Sequence, residues 1–106
     1  MNITIREKQS GKLLASAPEG SELVVPFEGN LYFDTSVVEE GSLRVTDRTY
    51  TCPHKGVCQW IDFVDPLEGR TVRDVGWVYN KPKPGNEVIQ GRYGFYAGTR
   101  GGTKQA

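Results

Sequence analysis

The sequence predicts an all-β domain, mainly antiparallel, with six or seven short strands and one short helix, closed as a sandwich or a partly open barrel. Three observations carry this prediction. Thirteen glycines and six prolines punctuate the chain at short intervals, which suits short strands joined by turns. The runs between them alternate apolar and polar residues with a period of two. Only one stretch, residues 34–43, offers a helix.

Residues 2–6 and 12–16 alternate and read as a first strand pair, turned by Ser10-Gly11. Residues 22–27, ELVVPF, read as a third strand; Pro26 lacks an N–H, so this strand lies at a sheet edge or ends there. Gly29-Asn30 turns the chain into Leu31-Tyr32-Phe33. In residues 34–43, Asp34, Thr35 or Ser36 supplies an N-cap, and Gly41 limits the helix to one or two turns. Residues 44–52, RVTDRTYTC, are rich in the Thr, Tyr and Val that suit a pleated, half-buried surface.

Pro53 and Gly56 bracket a tight turn into residues 57–64, VCQWIDFV. Period-two geometry puts Val57, Gln59, Ile61 and Phe63 on one face and Cys58, Trp60, Asp62 and Val64 on the other. Residues 70–79 form the next strand, with Val75, Trp77 and Tyr79 on one face. Lys81-Pro82-Lys83-Pro84-Gly85 cannot be a central strand and reads as an exposed loop. Residues 87–96 read as the closing strand, with Ile89, Tyr93 and Phe95 on one face. Residues 98–106 hold no apolar anchor and are expected to be a mobile tail, leaving residues 1–97 as a single domain.

Thirteen basic residues balance thirteen acidic ones. A nucleic-acid binder needs surplus Lys and Arg to displace counterions from phosphate, so no nucleic-acid partner is expected. Arg44, Arg48, Lys55, Arg70 and Arg73 crowd the middle third and read either as a local basic patch or as part of a charge-mixed, solvated surface. No run approaches the ~18 apolar residues of a membrane helix, and residues 1–9 lack the apolar stretch of a secretion signal. The expectation is a cytoplasmic chain with no membrane partner, whose two cysteines are reduced thiols.

Four blocks carry a family resemblance. Residues 43–56 read LRVTDRTYTCPHKG; Tyr32-Phe33-Asp34 precedes Val37; Trp77-Val78-Tyr79 precedes Pro82; and Ile89-Gln90-Gly91 precedes Phe95-Tyr96. In this order they resemble the DUF-427 family, a domain of unknown function with a nucleotidyltransferase-like label, over roughly residues 11 to 97. The resemblance implies a small, tent-like or barrel-like β fold with a groove at the sheet. The chain departs from the family pattern at His54, usually an aromatic residue, and at Cys58, usually a small one.

The segment Cys52-Pro53-His54-Lys55-Gly56-Val57-Cys58 is the richest in chemistry. Cys52, His54 and Cys58 make three zinc ligands where a structural site needs four, so no metal and no cofactor is expected. The two cysteines lack Cys-x-x-Cys spacing. Cys52, close to His54 and Lys55, reads as a nucleophile whose thiolate a cation favours, or as a small buried apolar residue at a strand end. Lys55 reads as a point charge for an anionic ligand, or as the partner of Asp47 or Asp62. Arg48 pairs with Asp47 or joins Lys55 on the same anion. Trp60, Trp77, Tyr79 and Tyr93, with Phe95, line a concave pocket or pack as core.

The leading expectation is a domain that binds a small or anionic ligand in a groove lined by Trp77, Tyr79 and Tyr93, with Lys55, Arg48 and Cys52 at one end. The alternatives are an enzyme using Cys52 or Lys55, in one version a nucleotide-related transferase, and a protein-interaction module built on exposed aromatics.

Overall fold

A computed structural model describes residues 1–106 as two antiparallel sheets. Strands β1 (Asn2–Glu7), β2 (Leu13–Pro18) and β9 (Thr103–Gln105) form a three-stranded sheet in the order β2-β1-β9. Strands β3 (Val24–Phe27), β4 (Asn30–Phe33), β5 (Leu43–Cys52), β6 (Gly56–Val64), β7 (Thr71–Val78) and β8 (Tyr93–Tyr96) form a six-stranded sheet in the order β3-β4-β8-β7-β6-β5. The expected all-β class holds, with nine strands in place of six or seven, because the short β4 and the C-terminal β9 pair as strands of their own. β3 stands at one edge, as Pro26 requires, and β5 at the other.

The main core lies between the sheets. Ile5, Leu14, Ala15 and Ala17 of the small sheet pack with Leu31, Phe33, Ile61, Phe63, Val78 and Phe95 of the large one. Phe33 and Phe95 meet edge to face, ring centroids 5.9 Å apart, the arrangement that aromatic quadrupoles favour. The β6 alternation sends Ile61 and Phe63 to this core and Cys58 and Trp60 to the opposite face.

Three segments differ from the sequence expectation. Residues 34–43 hold two 3-10 turns, Thr35–Val37 and Glu40–Ser42, in place of a helix. Asp34 does cap the first, accepting from the Ser36 N–H at 3.0 Å. Between the turns the backbone engages β2 instead: Val38 bridges Ala15, and the Glu39 N–H donates to the Leu14 carbonyl at 2.8 Å. Residues 87–96 split into a 3-10 turn, Glu87–Ile89, and the short β8. Gly91, at φ 72°, separates them in a conformation that suits glycine. The C-terminal stretch contains β9, which pairs Thr103, Lys104 and Gln105 with Glu7, Arg6 and Ile5. Its anchor is backbone pairing and the fully buried Thr103 rather than an apolar side chain.

Two ionic clusters pin this frame. Glu7, on β1, is 2% exposed; it accepts from the Gln9 and Ser10 N–H groups at 2.8 and 2.9 Å and from Arg70 at 2.6 Å. The second cluster stitches β5, β6 and β7 where two register shifts meet, between Val45 and Thr49 and between Ile61 and Phe63. There Arg48 bonds both the buried Asp62 and, at 2.7 Å, Asp74. The Asp74 N–H donates to Asp62 at 3.1 Å. Burial pushes the Asp62 carboxyl up, but Arg48 and the Asp74 N–H outweigh it and hold it below the usual carboxylate range.

Burial likewise pushes Glu7 up, and the bonds from Arg70, Gln9 and Ser10 overcome it, taking the carboxyl from 4.5 down to about 2. A carboxylate depressed in the folded state contributes stability above its unfolded pKa and loses it as pH falls through the folded one. Glu7→Gln should therefore cost on the order of 3 kcal/mol at pH 7. The gap to the native protein should close between pH 4.5 and about 2. Urea unfolding across that range measures both.

Candidate functional site

The face of the large sheet turned away from the main core is also apolar. The cross-strand register sets Tyr32 of β4 opposite Gly94 of β8, Gly94 opposite Trp77 of β7, and Trp77 opposite Trp60 of β6. This single row places two tryptophans and a tyrosine around a glycine. A Cβ on Gly94 would lie 2.6 Å from the Trp77 indole nitrogen and 2.8 Å from the Tyr32 ring. The glycine leaves room for the Trp77 indole, whose N–H donates to the Tyr32 hydroxyl at 3.1 Å.

Further rings extend the row. Trp60 and Trp77 stand nearly perpendicular at 82°, centroids 6.1 Å apart. Tyr96 packs on Trp77 at 4.9 Å, and Tyr50 of β5 tilts against Trp60 at 6.2 Å. Tyr32, Cys58, Trp77, Tyr79 and Ile89 form a second buried cluster on this face. Ile89 reaches it because the chain turns at Glu87–Ile89.

These rings line a partly open hollow of about 330 Å³. Six of its ten lining residues are aromatic: Tyr32, Tyr50, Trp60, Trp77, Tyr79 and Tyr96. Asn30, Cys52, Cys58 and Lys55 complete it, and Lys55 is the one charged lining residue. Five residues singled out from sequence thus converge here: Cys52, Lys55, Trp60, Trp77 and Tyr79. Arg48 and Tyr93 are not among the lining residues. Arg48 is held by Asp62 and Asp74, while Tyr93 packs against the main core. Sequence reasoning did not assign Asn30, Tyr32, Tyr50, Cys58 or Tyr96 to the pocket. For Tyr32 the signal was the alternation of β4, where Leu31 and Phe33 face the core and Tyr32 faces away.

Lys55 lies in the β5–β6 turn, its side chain 12% exposed. Its Nζ donates to Glu28 at 3.0 Å and sits 6.0 Å from the centre of the Tyr79 ring. Neither Asp47 nor Asp62 is its partner. Burial disfavours its charge, but Glu28 and the neighbouring acidic groups more than restore it, leaving its pKa raised. Cys52 and Cys58 are both free thiols. The backbone N–H groups of Lys55 and His54, with the Lys55 charge, hold the Cys52 thiol below the ordinary value. Burial pushes the Cys58 thiol up, and burial among the same groups pushes the Tyr79 hydroxyl up as well. No three His, Cys, Asp or Glu side chains gather into a metal-holding group.

The architecture defines a small two-sheet β domain with an aromatic hollow on the outer face of its larger sheet. The chain belongs to the family described as Domain of unknown function (DUF427), whose model matches residues 3–105. It is similar in fold to the crystal structure of the Mis18 'Yippee-like' domain, with a TM-score of 0.61 and 18% identity. That match covers 91% of this chain and 89% of the other. No curated protein matches the chain.

The glycine row makes a direct forecast. Gly94→Ala should destabilise the fold by about 1–3 kcal/mol, because two rigid rings must shift, and should alter the tryptophan near-UV circular dichroism. Gly41→Ala meets no atom within 4 Å and should stay within about 0.5 kcal/mol of the native protein. Thermal unfolding of both variants gives the comparison.

Proposed function

We propose that this domain binds a small ligand carrying one planar ring and one anionic group. The observation that carries the reading is the hollow itself, partly open to solvent: six aromatic rings and a single charged residue, Lys55, around about 330 Å³. That volume falls at the small end of the ~300–1,000 Å³ typical of ligand pockets, which are apolar hollows with few, well-placed polar groups. The ligand ring packs among Trp60, Trp77 and Tyr96, and its carboxylate or phosphate meets Lys55. The balanced formal charge favours a small anion over a nucleic-acid backbone. No helix is long and apolar enough to cross a membrane.

Titration with phenyl phosphate, followed by the emission of Trp60 and Trp77, tests this. A saturable change is expected. Lys55→Met keeps the aliphatic stem and should weaken binding about tenfold or more, the loss of a charge-assisted bond. Tyr50→Ala, at a half-exposed rim position, should weaken it with little effect on stability. If no aryl phosphate or aryl carboxylate perturbs the emission or the melting temperature, the reading fails.

One observation favours a second reading, in which the pocket is catalytic. Cys52 lines the same hollow beside Lys55, with its thiol shifted towards the thiolate, the state needed for nucleophilic attack. Iodoacetamide should then alkylate Cys52 well before the buried Cys58, with a pH midpoint below that of a free thiol. Phenyl phosphate should slow the labelling. A Cys52 that titrates as a free thiol, or does not react, removes the nucleophile.

A further inference from the structure

The Lys55 ammonium already has an anionic partner, and that partner comes from outside the pocket lining. Glu28 sits at the tip of the β3–β4 hairpin, in a two-residue loop between the paired Phe27 and Asn30. Both loop residues have positive φ, 50° at Glu28 and 84° at Gly29. This is the geometry of tight hairpin turns, in which the first position favours Asn, Asp or Gly. A glutamate there is uncommon. Its side chain extends to Lys55, 27 positions along the chain.

The two partners differ in exposure. The Glu28 side chain is 48% exposed, whereas that of Lys55 is 12% exposed. The cation therefore belongs to the wall of the hollow, and the carboxylate reaches it from the solvent side. An ammonium has three donors, and Glu28 is the one hydrogen-bond acceptor that Lys55 Nζ engages. Asn30, the first residue of β4, lines the hollow, so the hairpin that carries Glu28 is also part of the pocket.

Resting on the ligand-binding reading above, we propose that Glu28 is a displaceable internal anion that sets the specificity of the pocket. A ligand anion gains Lys55 only by replacing the Glu28 carboxylate, which swings out into water. Releasing the carboxylate returns a half-exposed group to water but strips the part-buried Lys55 of its partner, a cost that the incoming anion must offset. A free inorganic anion exchanges one partner for another and gains almost nothing. A ligand that joins its anionic group to a planar ring gains the aromatic contacts as well and wins the exchange. Glu28 thereby works as competition against the wrong ligands, in the way specificity is often built from a repulsive or occupied element. The ligand class favoured over a simple anion is an aryl carboxylate or aryl phosphate.

The test compares native protein, Glu28→Gln, Lys55→Met and the double variant against three probes: phenyl phosphate, inorganic phosphate and benzyl alcohol. Affinity is read by tryptophan emission and calorimetry, and near-UV circular dichroism confirms that each variant is folded. Glu28→Gln should bind phenyl phosphate about 5–10-fold tighter and make inorganic phosphate binding measurable, with benzyl alcohol unchanged. In the Glu28→Gln, Lys55→Met double variant that gain should vanish. If native protein binds phenyl phosphate but Glu28→Gln binds it equally or more weakly, the displaceable-anion proposal is overturned while the binding reading stands. If none of the proteins binds any ring-bearing probe, both fall together.

Discussion

Trp77 lies against its sheet because β8 places a glycine opposite it. Any side chain at Gly94 would meet the indole nitrogen at 2.6 Å and the Tyr32 ring at 2.8 Å. With the space free, the indole reaches the Tyr32 hydroxyl, and Trp60, Tyr96 and Tyr79 gather around it. The six-stranded sheet is thus apolar on both faces. One face is covered by the small sheet; the other covers itself with its own rings and leaves a hollow among them. An antiparallel sheet more commonly turns a polar face to water on that side.

A sheet with this demand on both faces needs its strands held in register, since a slip of one residue exchanges core and pocket residues. Arg48 supplies part of that hold by tying β5 to the two register shifts through Asp62 and Asp74. Glu7 performs the parallel task for the small sheet. Through Arg70 it joins the β1–β2 turn to the β6–β7 loop, and Arg70 lies 5.7 Å from the centre of the core Phe63 ring. Arg48 and Arg70 are therefore committed to the frame, and Lys55 alone among the charged residues lines the hollow.

Much of this was legible in the residues. The period-two pattern of β6 separated Ile61 and Phe63 from Cys58 and Trp60, and Pro26 marked an edge strand. What escaped depended on contacts between distant segments. The helix expected at residues 34–43 gave way because Val38 and Glu39 bond to β2. Val75 joins the main core although it shares parity with Trp77. Asp74, at φ 59° beside a register shift, lies just before it, and such irregularities break simple alternation. The pairing of Lys55 with Glu28, and of Arg48 with Asp74, spans 27 and 26 positions, which local spacing does not encode. β9 was missed because backbone pairing has no side-chain signature.

The placement of β5 at the margin of the large sheet has its own consequence. A ten-residue outer strand presents a row of free backbone groups on which another molecule can zip itself, the usual beginning of aggregation. Here the shift between Val45 and Thr49 interrupts that row near its middle, and Arg44, Asp47 and Arg48 put charge beside the break. The irregularity that seats the Arg48 cluster also denies neighbouring molecules a long, flat template. Cohesion within the molecule and resistance to clumping in a crowded solution thus arise from the same few residues.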